Sequence, residues 1–364
     1  MTLMLRVFNL VLKLLCVLGA YGWLVANYLK NSGKMPHNNS TYTYGALDLG
    51  GASTQLTFRP TGSILAHQFP LQVDKMEYSL YTHSYLYYGV DQALLRFDNN
   101  HVGESGINPC YPKDYTNHIT KVSGASDWSQ CLESVAKLFN KLHQCFNGDG
   151  KEDRCSFNGV YQPPLEDKSF VLMSAFVYIY DYLGLKIGSD TQDLQRLDKR
   201  AQIICNLTKS QQRKHYKKRT ENIPSERTAN NPDHQCFNAA YAYHLLSTGF
   251  GMPIVNTPIE IRHHIGGTNL GWSLGMMIVE ANKLGWTYKE QGYNPTVHIT
   301  YNNTANLEYK LLFMSVTPSF IALSCVLGVL LFRAKRQSRI LEPYLPVSAI
   351  DDALGDETSP RKGR

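Results

Sequence analysis

Residues 44–58 read YGALDLGGASTQLTF, and the reading of this stretch decides the fold. Apolar residues precede Asp48, and Ala52, Thr54, Leu56 and Phe58 alternate after it, so two strands are expected, joined at Gly50-Gly51 as a hairpin. A carboxylate at the end of a buried strand can hold a hydrated divalent metal, and Ca²⁺ or Mg²⁺ suits carboxylate and water ligands better than softer ions. Gly50 and Gly51 permit positive φ and let backbone N–H groups come close to a phosphate. Ser53 and Thr54 offer hydroxyl donors, and Gln55 can orient a water. Such parts serve phosphoryl transfer, in which positioning and electrostatics carry the catalysis. Taken alone, Asp-x-Gly-Gly also fits an ordinary hairpin turn with an Asx-type bond.

Outward from the hairpin, residues 31–42 are polar and read as a surface loop. Helical periodicity is found around 134–143 and 171–184, and again at 237–248 and 271–284. Residues 207–235 are basic and polar and are expected to form a long loop. Strands alternating with helices point to an α/β or α+β domain. No internal repeat is present.

The 364 residues are 43 % apolar with 23 Tyr, which excludes a disordered chain. Charged residues make up only 18 %, a hint that part of the chain is not in water. The net charge of +6 is concentrated at 207–220 and 333–339 without basic-aromatic blocks, so nucleic-acid binding is not expected. Residues 311–332 run 22 positions without a charge, enough to span a hydrocarbon core of about 30 Å. Arg333, Lys335, Arg336 and Arg339 follow at once, which puts 333–364 in the cytosol and everything before 311 outside or in a lumen. At the other end, residues 14–29 are uncharged and long enough for a signal-anchor core, and with no clear cleavage site an uncleaved anchor is the reading.

Six cysteines lie between these segments, Cys110, Cys131, Cys145, Cys155, Cys205 and Cys236. An even number in a lumenal region suggests three disulfides; 15 connectivities are open, and proximity favours 110–131, 145–155 and 205–236. No CxxC pair exists to support zinc. Sequons at Asn38, Asn39, Asn206 and Asn302 all fall on the same proposed side.

With its flanks, the hairpin sequence resembles the fourth apyrase conserved region of the ecto-nucleoside triphosphate diphosphohydrolases of the cell surface. Other stretches agree in family order. Gly19-Ala20-Tyr21-Gly22-Trp23 through Asn27-Tyr28-Leu29 is similar to the second half of the third region. Tyr81-Thr82-His83-Ser84-Tyr85-Leu86 with Tyr88-Gly89 resembles the segment after the fourth. Cys155 to Val160, Pro163-Pro164 and Ser174-Ala175-Phe176 resemble the late core, and Gly271-Trp272-Ser273-Leu274-Gly275 the fifth region. The resemblance covers about 19–335. It implies an actin/Hsp70-like (ribonuclease H-like) α/β fold, mostly its C-terminal lobe, with a C-terminal transmembrane helix. It also implies metal-dependent hydrolysis of ATP, ADP, UTP and UDP at the plasma membrane. A homo-oligomer is left open.

Carried over by position, Asp48 would hold a metal through water, Gln55 would position the attacking water, and Gly50, Gly51, Ala52, Ser53 and Thr54 would lie along the phosphates. Tyr178 matches a tyrosine that stacks on the base, with ordinary helix packing as the alternative, and Trp272 is read as core. Asn269 stands where the family has an acidic residue.

The larger departure is at Leu18. The family's general base, a Glu, directly precedes the Gly-Ala-Tyr-Gly-Trp segment, and neither Leu18 nor Val17 can take a proton. The first and second conserved regions are also missing. The expectation is therefore a shortened apyrase, from splicing or an incomplete gene model. Residues 1–18 are foreign to the fold, 19–309 form an ectodomain with an incomplete N-terminal lobe, and 311–332 span the membrane. Two functions compete: an apyrase, and an inactive membrane glycoprotein that binds nucleotide weakly or associates with a full-length relative. A sugar kinase or Hsp70-like ATPase is disfavoured because such proteins lack lumenal disulfides and an anchor.

Overall fold

The computed structural model describes residues 2–37, 42–73, 75–101, 106–116, 121–139, 155–166, 168–188, 193–220 and 231–283. These residues all lie within the compact unit Met1–Trp286. Asn38, Asn39, Asn302, Cys145 and the apolar segment 311–332 lie outside the described residues. Among those that are described, no helix is long and apolar enough to cross a membrane.

The chain begins with α1 (Thr2–Lys30) and continues through β1 (Gly45–Leu49), β2 (Ser53–Phe58), β3 (Gln68–Val73) and β4 (Met76–Leu86). After α2 (Val90–His101) come the two-residue strands β5 (Ile107–Asn108) and β6 (Ser123–Gly124), α3 (Trp128–Ala136), β7 (Phe170–Ser174) and α4 (Ala175–Tyr182). Helices α5 (Leu194–Cys205), α6 (Lys209–Thr220) and α7 (Gln235–His244) follow, and a π-helical turn over Leu245–Gly249 extends α7. The last elements are β8 (Ile259–Ile261), the small hairpin β9 (His264–Ile265) and β10 (Thr268–Asn269), and α8 (Trp272–Lys283).

The result is a mixed α/β fold around a six-stranded sheet in the order β3-β4-β2-β1-β7-β8. The hairpin read from 44–58 is its centre: β1 and β2 pair antiparallel, β4 pairs antiparallel with β2, and β7 and β8 continue in parallel from β1. Side-chain alternation along these strands separates two apolar layers. Leu47, Leu49, Leu56, Phe58 and Leu172 face a large core that surrounds α7. Ala46, Leu80 and Met173 face a smaller one that contains Trp23, Leu24 and Val279 from α1 and α8.

Helix α1 reaches the sheet because small residues recur along its inner face. A Cβ on Gly19 would sit 2.8 Å from Thr57 Oγ1 and 3.1 Å from Gln55 Cβ. Asn27 pins the helix to the chain entering β1, since its Nδ2 donates to the Tyr44 carbonyl at 3.0 Å and its Oδ1 accepts the Tyr44 N–H at 2.9 Å. Gly33, at φ +80°, closes the end by donating to the Tyr28 carbonyl. Secondary structure runs unbroken across residues 18 and 19, where the sequence suggests a boundary. With Trp23, Leu24, Val25 and Ala26 fully buried in the domain, residues 14–29 are not a free membrane-spanning core.

Three expectations are corrected by the elements themselves. The helix read over 171–184 begins only at Ala175, because 170–174 forms β7, a parallel strand buried among neighbours on both sides. The helix read at 134–143 is α3, which starts earlier, behind the Asp127 cap that accepts from the Gln130 N–H. The basic stretch after Cys205 opens with α6 rather than a loop: Gln212 is buried, and Arg213 pairs with the buried Asp233 at 2.7 Å. Disulfides join Cys110 to Cys131 and Cys205 to Cys236, and Cys155 is also disulfide-bonded.

Candidate active site

The pairing register assembles the site. Asp48 on β1 lies opposite Gln55 on β2, and Gln55 lies opposite Ser84 on β4. Residues directly opposite in an antiparallel pair share a face, so Asp48, Gln55 and Ser84 form a row across three strands. The row is roofed by α1, whose Gly19 packs on Gln55 and whose Cys16 carbonyl accepts the neighbouring Thr82 hydroxyl at 3.2 Å. Burial pushes the Cys16 thiol above its ordinary value.

Within the row, the Gln55 Nε2 donates to Ser53 Oγ at 2.8 Å and to Ser84 Oγ at 2.9 Å. Both of its N–H bonds are thereby used, and the carbonyl oxygen is the end left to accept. Asp48 is raised above the usual carboxylate range by burial, against a hydrogen bond with the Ser174 side chain that lowers it. Ser174 ends β7 and caps α4 with φ 61° and ψ −123°, a backbone region that non-glycine residues seldom occupy. Tyr178 stands one turn along α4 and is half-buried.

The tip between the strands is shaped by close approach and not, as the sequence suggested, by left-handed glycines. Neither Gly50 nor Gly51 has positive φ. A Cβ on Gly51 would meet Asp91 Oδ2 at 2.4 Å, so this glycine makes room for the start of α2. The turn is tied to that helix: Val90 N–H donates to the Gly50 carbonyl at 2.9 Å and Asp91 N–H to the Gly51 carbonyl at 3.0 Å. Among the described residues, the Gly51 and Ala52 amides donate to no protein acceptor. Thr54 is a second correction. Alternation turns it to the far face, where it is fully buried and its hydroxyl donates to the Tyr88 carbonyl at 2.7 Å, so it is not free to meet a phosphate. Trp272, read as core, is 42 % exposed at the start of α8.

For a metal, Asp48 is the carboxylate on this face, and among the described residues no three His, Cys, Asp or Glu side chains cluster to hold an ion. A donor set of one carboxylate fits a hydrated divalent ion that keeps most of its waters. It does not fit zinc. The sequence reading missed Ser84 and Ser174. Ser84 falls at a strand position of the same parity as Thr82, visible only once β4 is registered against β2.

A family profile matches residues 17–294, described as the GDA1/CD39 (nucleoside phosphatase) family. The chain belongs to that family. Among relatives, it is 32 % identical over 293 residues to ectonucleoside triphosphate diphosphohydrolase 2 of Homo sapiens, covering 71 % of this chain and 56 % of the relative. To ectonucleoside triphosphate diphosphohydrolase 1 of Bos taurus it is 30 % identical over 356 residues, covering 86 % and 64 %. This GDA1/CD39 chain thus spans between about half and two thirds of the length of those relatives. A solved structure of nucleoside triphosphate hydrolases from Neospora caninum aligns with a TM-score of 0.49 at 14 % identity, over 74 % of this chain and 64 % of that one.

Proposed function

We propose that this chain binds nucleoside tri- and diphosphates, ATP, ADP, UTP and UDP among them, with water attack on the terminal phosphate as its chemistry. The observation that carries the reading is the row Asp48–Gln55–Ser84 beside a turn whose Gly51 and Ala52 amides have no protein acceptor among the described residues. The amides and the Ser53 hydroxyl donate to phosphate oxygens, while the Gln55 carbonyl accepts a hydrogen bond from the attacking water and so turns its lone pair towards phosphorus. When bound, Ca²⁺ or Mg²⁺ supplies positive charge at the phosphates, and Asp48 would hold it through water. Tyr178, on the helix that starts beside Asp48, is assigned to the base.

The attack requires a base for the water proton, and Leu18 gives an aliphatic side chain next to Gly19, which packs on Gln55. That observation favours the second reading: nucleotide is bound, and turnover is slow or absent. In either case we read the fold as one actin/Hsp70-like lobe; the antiparallel block β3-β4-β2-β1 followed by parallel β7 and β8 supports this. We also assign 311–332 as a membrane anchor at the plasma membrane, and glycans to Asn38, Asn39, Asn206 and Asn302. Asn206 is exposed at the end of α5. Phosphate release from ATP and ADP by the full chain, with Ca²⁺ and with a chelator, tests the chemistry. Nucleotide binding without release selects the second reading, and no binding at all refutes both.

A further inference from the structure

We infer that Ser84 is a positioning residue for this chemistry, holding the Gln55 amide so that its carbonyl oxygen, and not its nitrogen, faces the attacking water. The inference rests on the function proposed above. An amide side chain presents a donor at one end and an acceptor at the other, and rotation by half a turn exchanges them. A water whose lone pair must face phosphorus has to donate its protons, so only the acceptor end can orient it. Two hydroxyl oxygens fix the choice here. Gln55 Nε2 donates to Ser53 Oγ and to Ser84 Oγ at 2.8 and 2.9 Å, which uses both N–H bonds.

The two hydroxyls are not equivalent. Ser53 is the first residue of β2, beside the turn, where its hydrogen is needed for a phosphate oxygen. Ser84 lies inside β4, away from the turn, and is buried. It is also the cross-strand partner of Gln55 in the register. Ser84 is therefore the fixed anchor of the amide. Thr82, two residues along on the same face, supplies an internal comparison, since its hydroxyl meets Thr57 Oγ1 at 2.7 Å and the Cys16 carbonyl at 3.2 Å but does not touch Gln55.

The test uses the full chain in detergent and two probes, ADP with Ca²⁺, and ADP with orthovanadate and Ca²⁺. Vanadate places an apical oxygen where the attacking water would stand, so only the second probe reads the orientation of the amide. The parent chain is expected to bind the vanadate complex more tightly. Ser84→Ala lowers that affinity about tenfold, the scale of one oriented hydrogen bond, while ADP affinity stays within about twofold. Thr82→Val, which removes a hydroxyl from the same roofed face, and Ser84→Thr, which keeps the oxygen, leave the ratio of the two affinities unchanged. In a Gln55→Ala background, Ser84→Ala has no further effect. An unchanged ratio in Ser84→Ala, or an equal fall in Thr82→Val, overturns the inference. So does a loss in Ser84→Thr, which decides the matter even where Ser84→Ala is too unstable to assay. A parent chain that binds neither probe refutes the proposed function itself, and is distinguishable from all of these.

Discussion

Gly89→Ala is the substitution for which the structure gives the clearest magnitude. The added Cβ would sit 2.3 Å from the Gly51 carbonyl carbon, 2.4 Å from the Ala52 nitrogen and 2.4 Å from the Gly51 oxygen. Ordinary contact is about 3.5–4.0 Å, so one backbone must move by about 1 Å. No flexible side chain is there to yield, and the two segments are stitched together by Val90, Asp91 and Gln92 N–H bonds to the Gly50 and Gly51 carbonyls. Overpacking of this kind costs about 1–3 kcal/mol, and about 2–4 °C of melting temperature is lost per kcal/mol in a domain of this size. The displaced atoms are those of the turn assigned to the phosphates, where a shift of about 1 Å can cost up to about 10²-fold. Thermal melts combined with calorimetric titration of ADP and Ca²⁺ read both effects. Gly124→Ala, whose Cβ would meet the Pro112 oxygen at 2.0 Å, is the control: it destabilises without moving that turn, so the folded fraction keeps its nucleotide affinity. A Gly89→Ala chain with the melting temperature and ADP affinity of the parent would show that this close approach does not shape the turn.

Other consequences are open to measurement. Leu18→Glu puts a proton acceptor beside Gly19 and is expected to raise phosphate release at least about 10²-fold, the usual worth of a general base; a rate equal to the parent's refutes the role given to that position. Glu260 is buried and receives both Lys30 and Arg262, each at 2.8 Å, so Glu260→Gln removes the charge from both pairs and is expected to cost about 2–3 kcal/mol in urea unfolding. Serine at both Cys205 and Cys236 opens a loop with a separation of 31 residues, and a loss of about 3–4 kcal/mol is expected. Burial pushes His244 down to about 4, whereas the unfolded chain takes up that proton near 6.5. The stability this group contributes is therefore full above pH 6.5 and drains away as pH falls towards 4, by up to about 3 kcal/mol. His67, His83 and His234 are lowered by burial too and act in the same direction. His244→Gln should flatten the decline in urea midpoints between pH 7 and 5, and an unchanged slope would count against it.

What could be read from the sequence followed from whether a pattern had one physical cause. The hairpin did: alternation after Asp48, an apolar lead-in before it and a Gly-Gly break leave few other structures. The run FVLMSAFVYIYDY did not, because a parallel strand buried on both faces and a buried helix are equally apolar throughout. Only the backbone at Ser174 separates β7 from α4. Helix α6 was hidden for the opposite reason, as it has almost no apolar face and is held through Gln212 and the Arg213–Asp233 pair. At the site, Asp48 and Gln55 are legible from local spacing. Ser84 depends on strand register 29 residues away, and the loss of Thr54 depends on which face of β2 is roofed.

The smaller apolar layer is assembled from the two extremes of the described chain. Gly275 of α8 comes so close to α1 that a Cβ there would lie 2.4 Å from the Tyr21 carbonyl oxygen. During synthesis, α1 leaves the ribosome before α8 and waits for the whole sheet and the intervening helices before that partner emerges. Trp23 and Leu24 lack part of their enclosure until then, so nascent chains should occupy chaperones until translation has passed Lys283.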